Sequence, residues 1–148
     1  MTFNEYVNID IDNKAETVFL HIEQMSSNID RAGRRALLKG GRIITDRVKQ
    51  GIKDPPKTGR YYIRGGKRRR ASKAGEYPAN QTGELRRSVG FQVEGLRKLH
   101  IGARADYAGY LETGTRKMEA RPFLKNSIKE KSKDFYNFIE NEIAKEIT

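Results

Sequence analysis

The chain has 148 residues, with 36% apolar and 33% charged side chains, which fits one lean globular domain able to fold alone. It has no cysteine, and its histidines are His21 and His100, which excludes a disulfide scaffold, a thiolate metal centre and a His-rich one; no apolar run approaches the ~18 residues of a membrane span. The net charge is +11 and it is local: Lys57, Arg60, Arg64, Lys67, Arg68, Arg69, Arg70 and Lys73 fall in one stretch without an acidic residue, the pattern of a site for nucleic acid or for an acidic protein surface.

The N-terminus, MTFNEYVNIDID, lacks the basic start and apolar stretch of a signal peptide, so the chain is expected to be made in, and first to work in, a cytoplasm. Residues 1–13 read as an arm or strand, with Val7, Ile9 and Ile11 on one side. Asp12 or Asn13 then offers an N-cap for a short helix from Lys14 to Met25. A longer helix is expected from Ile29 to Ile52. Its stripe is Ala32, Ala36, Leu37, Gly40, Ile43, Ile44, Val48 and Ile52, with basic residues on the other face. Gly40 and Gly41 weaken this helix by about 1 kcal/mol each relative to alanine, which close packing against another element would explain. Gly51 and Pro55-Pro56 are expected to end it.

Residues 54–82 read as a mobile basic loop, unless a short strand at Tyr61–Arg64, paired with residues after it, relieves it. Thr82-Gly83-Glu84-Leu85 reads as a turn leading into a strand. Val89, Phe91 and Val93 alternate with polar or small residues, as do Leu99, Ile101 and Ala103 after a turn at Glu94-Gly95. This is a hairpin with one buried face, and His100 falls on the other as a surface residue. A short helix is expected from Asp106, its N-cap, to Glu112, with Gly114 as its stop. The last helix begins near Pro122 and carries Leu124, Ile128, Phe135, Phe138, Ile139, Ile143 and Ile147 at helical spacing.

These elements make an α+β domain spanning 1–148. A small antiparallel sheet with a β-hairpin packs against a long helix of the N-terminal half and a C-terminal helix. No catalytic constellation stands out. There is no Walker loop, nucleophile elbow or His-Glu-x-x-His helix, and Ser88, His100 and Asp106 are residue types that strands and turns supply by chance. Glu112 and Glu119 sit among Arg116, Lys117 and Arg121, where salt bridging is the simplest expectation. No catalytic residue, metal ligand or cofactor is therefore expected.

The sharpest signal is YAGYLETGTRKMEARPFL, from Tyr107 to Leu124. With Thr82, Gly83, Leu85 and Ser88 upstream, it resembles the tail-completion (tail-component) proteins of long-tailed, lambda-like bacteriophages. The matching positions are Tyr107, Ala108, Tyr110, Leu111, Glu112, Gly114, Thr115, Met118, Ala120, Arg121, Pro122, Phe123 and Leu124. The stretch from Pro55 to Ala79, with Thr58-Gly59-Arg60 and Ala71-Ser72 before Gly75-Glu76, is similar to the loop of one branch of that family. Gln81 departs from it, since an acidic residue often precedes the Thr-Gly. The resemblance implies a virion structural protein of the head–tail interface, which would form a ring that helps join the DNA-filled head to the tail. A hexamer is favoured because tail tubes of such phages are six-fold. Expected partners are further copies of itself, phage head-completion or adaptor proteins, and the tail terminator or tail tube, with non-specific contact to channel DNA and no membrane. The expected location is the virion, after assembly in the host cytoplasm. Independently, Met118, Pro122, Phe123 and Leu124 form an apolar group beside Arg residues, fit either to roof the hairpin or to core an interface. The rival reading is a small basic nucleic-acid-binding module, supported by the charge and by Tyr61, Tyr62 and Tyr77 near the basic run.

Overall fold

A computed structural model describes residues 27–54, 56–95 and 98–147. The expected strand near residues 3–11 and helix at 14–25 lie outside the described residues. The long amphipathic stripe folds as α1 (Ser27–Lys53). Ala32, Ala36, Leu37, Ile44, Val48 and Ile52 are all buried on one side of it, as the three-and-four spacing requires. The last helix, α4 (Leu124–Ile147), lies against it. Phe135 and Ile139 enter the shared core, and Phe138 and Ile143 border it. Lys39 to Glu142 (3.3 Å) and Arg47 to Glu130 (2.6 Å) bridge the two helices at the surface.

The tight packing expected at the paired glycines is present. A Cβ on Gly40 would fall within 3.0 Å of the Phe135 ring, and one on Gly41 within 3.0 Å of the Phe91 ring. Gly51 is a correction. It does not end α1, which runs to Lys53; it is buried inside the helix and takes the Tyr77 ring against its bare Cα. The helix end is instead held by Lys57, whose ammonium donates to the Gly51 carbonyl at 2.8 Å, a favourable place for a cation.

The basic run forms a hairpin. Strand β1 (Tyr61–Arg64) pairs antiparallel with β2 (Lys67–Arg70), Tyr61 opposite Arg70 and Arg64 opposite Lys67. Gly65 and Gly66, at φ 59° and 71°, supply the two left-handed positions of a tight hairpin turn. Next, Thr82-Gly83 does not lead directly into a strand. Glu84–Ser88 makes one helical turn, α2, before β3 (Val89–Glu94). β3 pairs antiparallel with β4 (Lys98–Ala103) in the register Val89–Ala103, Phe91–Ile101 and Val93–Leu99. These pairs share the face turned to α1, as the alternation predicts. His100 pairs across from Gln92 on the other face, but it is buried, with Nε2 2.8 Å from the Glu94 carboxylate. A cross-strand carboxylate covers it, which alternation alone does not reveal. Ser88 lies at the end of this ladder, four positions from the His100 pair, and its hydroxyl donates to the Leu85 carbonyl.

Helix α3 (Ala108–Thr113) starts with Tyr107, not Asp106, at the N-cap position, and no side chain caps it. Gly114 ends it as expected, at φ 79°. Among the described residues the architecture is α+β: two helices of more than twenty residues, two short ones and two separate antiparallel hairpins.

Candidate functional site

The sequence motif is first of all a device for starting α4. Glu112, expected in a salt bridge, is buried instead. Its carboxylate accepts from the backbone amides of Phe123 (2.8 Å), Leu124 (3.0 Å) and Lys125 (2.8 Å). Those amides are orphan donors of the helix start, and a carboxylate is the best acceptor for them. Burial pushes the Glu112 carboxyl upward while the three amides hold it back. Between Glu112 and α4 the chain makes a tight loop. Gly114 turns with its Cα close to the Met118 carbonyl and the Ala120 amide, where a Cβ would fall within 3.0 Å of both. Thr115 and Met118 exchange backbone hydrogen bonds at 2.7 and 3.3 Å, and the Thr115 hydroxyl accepts from the Lys117 amide. Phe123 and Leu124 then enter the core, so of the apolar group only Met118 and Pro122 stay partly exposed.

The same loop is stitched to the segment before Thr82. The Arg121 guanidinium donates to the Ser72 carbonyl (3.3 and 3.2 Å) and to the Glu119 carbonyl. The Gly75 amide donates to the Ala120 carbonyl at 2.9 Å. Glu76 accepts from the Thr58 hydroxyl, the Thr58 amide and the Lys73 amide. These bonds, the Thr58 hydroxyl first, hold its carboxyl down at about 2. Tyr77 is a correction to the stacking role: it is buried, its hydroxyl 2.9 Å from Ser127 Oγ, and burial pushes that hydroxyl up. The sequence shows Glu76 only as part of the family-like stretch, without its role, and it does not single out Ser127. The first was overshadowed by the basic run, and the second carries its signal only through its helical phase with Phe123.

These ties bring the two halves of the motif together. An open cleft of about 440 Å³ is lined by Thr82, Gly83 and Leu85 from the upstream motif, by Tyr107, Leu111, Met118 and Arg121 from the downstream one, and by Arg64. Tyr107 and, beyond it, Tyr110 are exposed, at 38% and 62%. The Tyr107 hydroxyl donates to Glu84 at 3.4 Å, and burial, then that carboxylate, push it up. Ser88, Ala108 and Ala120 do not line the cleft.

The eight basic residues have different work. Lys57 caps α1. Arg64 donates to the Gln81 side chain (2.6 Å) and Arg69 to the Gln81 carbonyl (2.9 Å). Arg70 donates to the Gly59 and Thr58 carbonyls. Arg68 lies over the exposed Tyr61 ring, 4.0 Å from its centroid, and Arg70 lies 4.9 Å from the same ring. Arg60, Lys67 and Lys73 project from the exposed surface. Among the described residues no cluster of three or more His, Asp or Glu is placed to hold a metal ion, and no helix is long and apolar enough to cross a membrane.

A family model described as "Bacteriophage HK97-gp10, putative tail-component" matches residues 21–114, more than half of the chain. Searches of curated proteins and of solved structures returned no match. The family match takes in α1, the basic hairpin, the β3–β4 hairpin and α3, and it stops at Gly114, the turn that closes α3. This chain belongs to the HK97-gp10-like family of bacteriophage tail components, structural proteins of the virion.

Proposed function

We propose that the protein is a head–tail joining, or tail-completion, component that works by assembly rather than turnover. Copies associate head to tail, and the rotation between neighbours closes a ring, with six copies matching six-fold tail tubes. One side of the ring meets head-completion or adaptor proteins, and the other meets the tail terminator or tail tube. The observation that carries this reading is the cleft with its two exposed tyrosines. Tyr, Met and Arg are the residue types enriched where protein interfaces are buried, and the cleft offers Tyr107, Met118 and Arg121 with Tyr110 beside it. A small-molecule site of this volume would present uncommitted convergent polar groups. Here Arg121 is committed to Ser72 and Glu119, and Arg64 to Gln81, which leaves mostly apolar surface for a neighbouring chain. Electron microscopy of particles assembled without this protein tests the reading. Filled heads and separate tails are expected; joined virions in parental numbers would overturn it.

A further inference from the structure

The two faces of the basic hairpin have separate fates. On the inner face, Arg64 and Arg69 anchor the hairpin to Gln81. The outer face presents Tyr61, Ile63, Arg68 and Arg70, which the register places side by side. Tyr61 is 54% exposed and Ile63 78% exposed. Lys67, at the turn, and Arg68 make no ion pair among the described residues, while the Tyr61 ring holds the Arg68 guanidinium in place from 4.0 Å. Concentrating like charges costs stability. Here the hairpin keeps them on a rigid strand pair, fixed by Gln81 on one side and by the Gly59 and Thr58 carbonyls at its base.

We propose that this outer face, Tyr61, Ile63, Arg68 and Arg70, is a contact surface for the phosphate backbone of duplex DNA. Duplex DNA carries one charge per about 1.7 Å of axis, a density that matches a hairpin bearing only cations. Ile63, paired across from Arg68, lies on the same face as the two guanidiniums. An acidic protein surface is the competing occupant. Its charge is sparser and mixed in sign, whereas the hairpin over residues 61–70 carries no acidic residue to match it. The assignment stands on the hairpin alone and is independent of the ring proposal.

The test is fluorescence anisotropy of a labelled mixed-sequence duplex against the whole protein, repeated over a salt series. Binding is expected to weaken steeply with salt and to be indifferent to sequence. The double variant Arg68→Ala/Arg70→Ala should bind about tenfold more weakly or worse, with the log–log salt slope shallower by about two. Arg68→Glu, at an exposed position of the outer face, gives the same direction if the double variant is poorly folded. Lys129→Ala/Lys133→Ala on α4 removes equal charge elsewhere and should leave binding unchanged. Three results would each overturn the proposal: no binding at low salt, equal loss in the α4 variant, or polyglutamate competing as well as DNA at equal charge.

Discussion

Glu112 shows how one side chain can serve two elements. It sits at the end of α3, yet its carboxylate caps the first amides of α4. Glu112→Ala strands three buried donors and should cost roughly 2–4 kcal/mol by urea unfolding. Glu112→Gln keeps one acceptor oxygen and should cost less. Burial raises the Glu112 carboxyl above its usual value, so its protonated form favours the folded state. That contribution is full below the unfolded value and fades as pH rises through the folded one. The stability gap between parent and Glu112→Gln should therefore be wider at pH 4 than at pH 7; a gap that widens with pH would contradict this. Glu76 is the opposite case. Its carboxyl, held at about 2, supports the base of the hairpin above the ordinary carboxylate value and loses that support as pH falls toward 2. An NMR titration should show the Thr58 and Lys73 amides shifting with a midpoint near 2, and a midpoint near 4.5 would refute the bonding described. Neither carboxylate's role is legible in the sequence, because their partners are mostly backbone amides, which no spacing of side chains reports.

At the scale of elements, α1 acts as a row of sockets. Gly40, Gly41 and Gly51 receive rings from α4, β3 and the segment before Thr82, Phe135, Phe91 and Tyr77 in turn. Alanine at Gly40 gains about 1 kcal/mol of helix propensity but meets a fully buried ring, and overpacking typically costs about 1–3 kcal/mol. Gly40→Ala should therefore be neutral to destabilising despite its better propensity. Adding Phe135→Leu should recover part of the loss in a double-mutant cycle. Additive effects in that cycle would show that the ring is not seated on the glycine. Both long helices and the β3–β4 hairpin were legible because their apolar periods of three-to-four and two are strong and continuous. The end of α1 was misread at Gly51, since a glycine that ends a helix and one that admits a ring look alike in sequence. The 54–82 segment was read as loose because its order comes from Gln81, Glu76 and backbone carbonyls rather than from apolar periodicity.

For the molecule as a whole, folding brings Thr82–Leu85 and Tyr107–Arg121 to one cleft and leaves Tyr107 and Tyr110 exposed beside it. The motif residues were legible in the sequence, but not their division between those that build the fold, such as Glu112, Gly114 and Phe123, and those left at the surface. That division supplies the most direct measurement. Phage lacking the parental gene would be complemented with Tyr107→Ala/Tyr110→Ala protein whose circular dichroism and melting temperature match the parent. Because these rings are not fully buried, the substitution should leave the fold intact and abolish assembly. The account predicts unjoined heads and tails in electron micrographs despite a folded protein; joined, infectious virions at the parental frequency would contradict it.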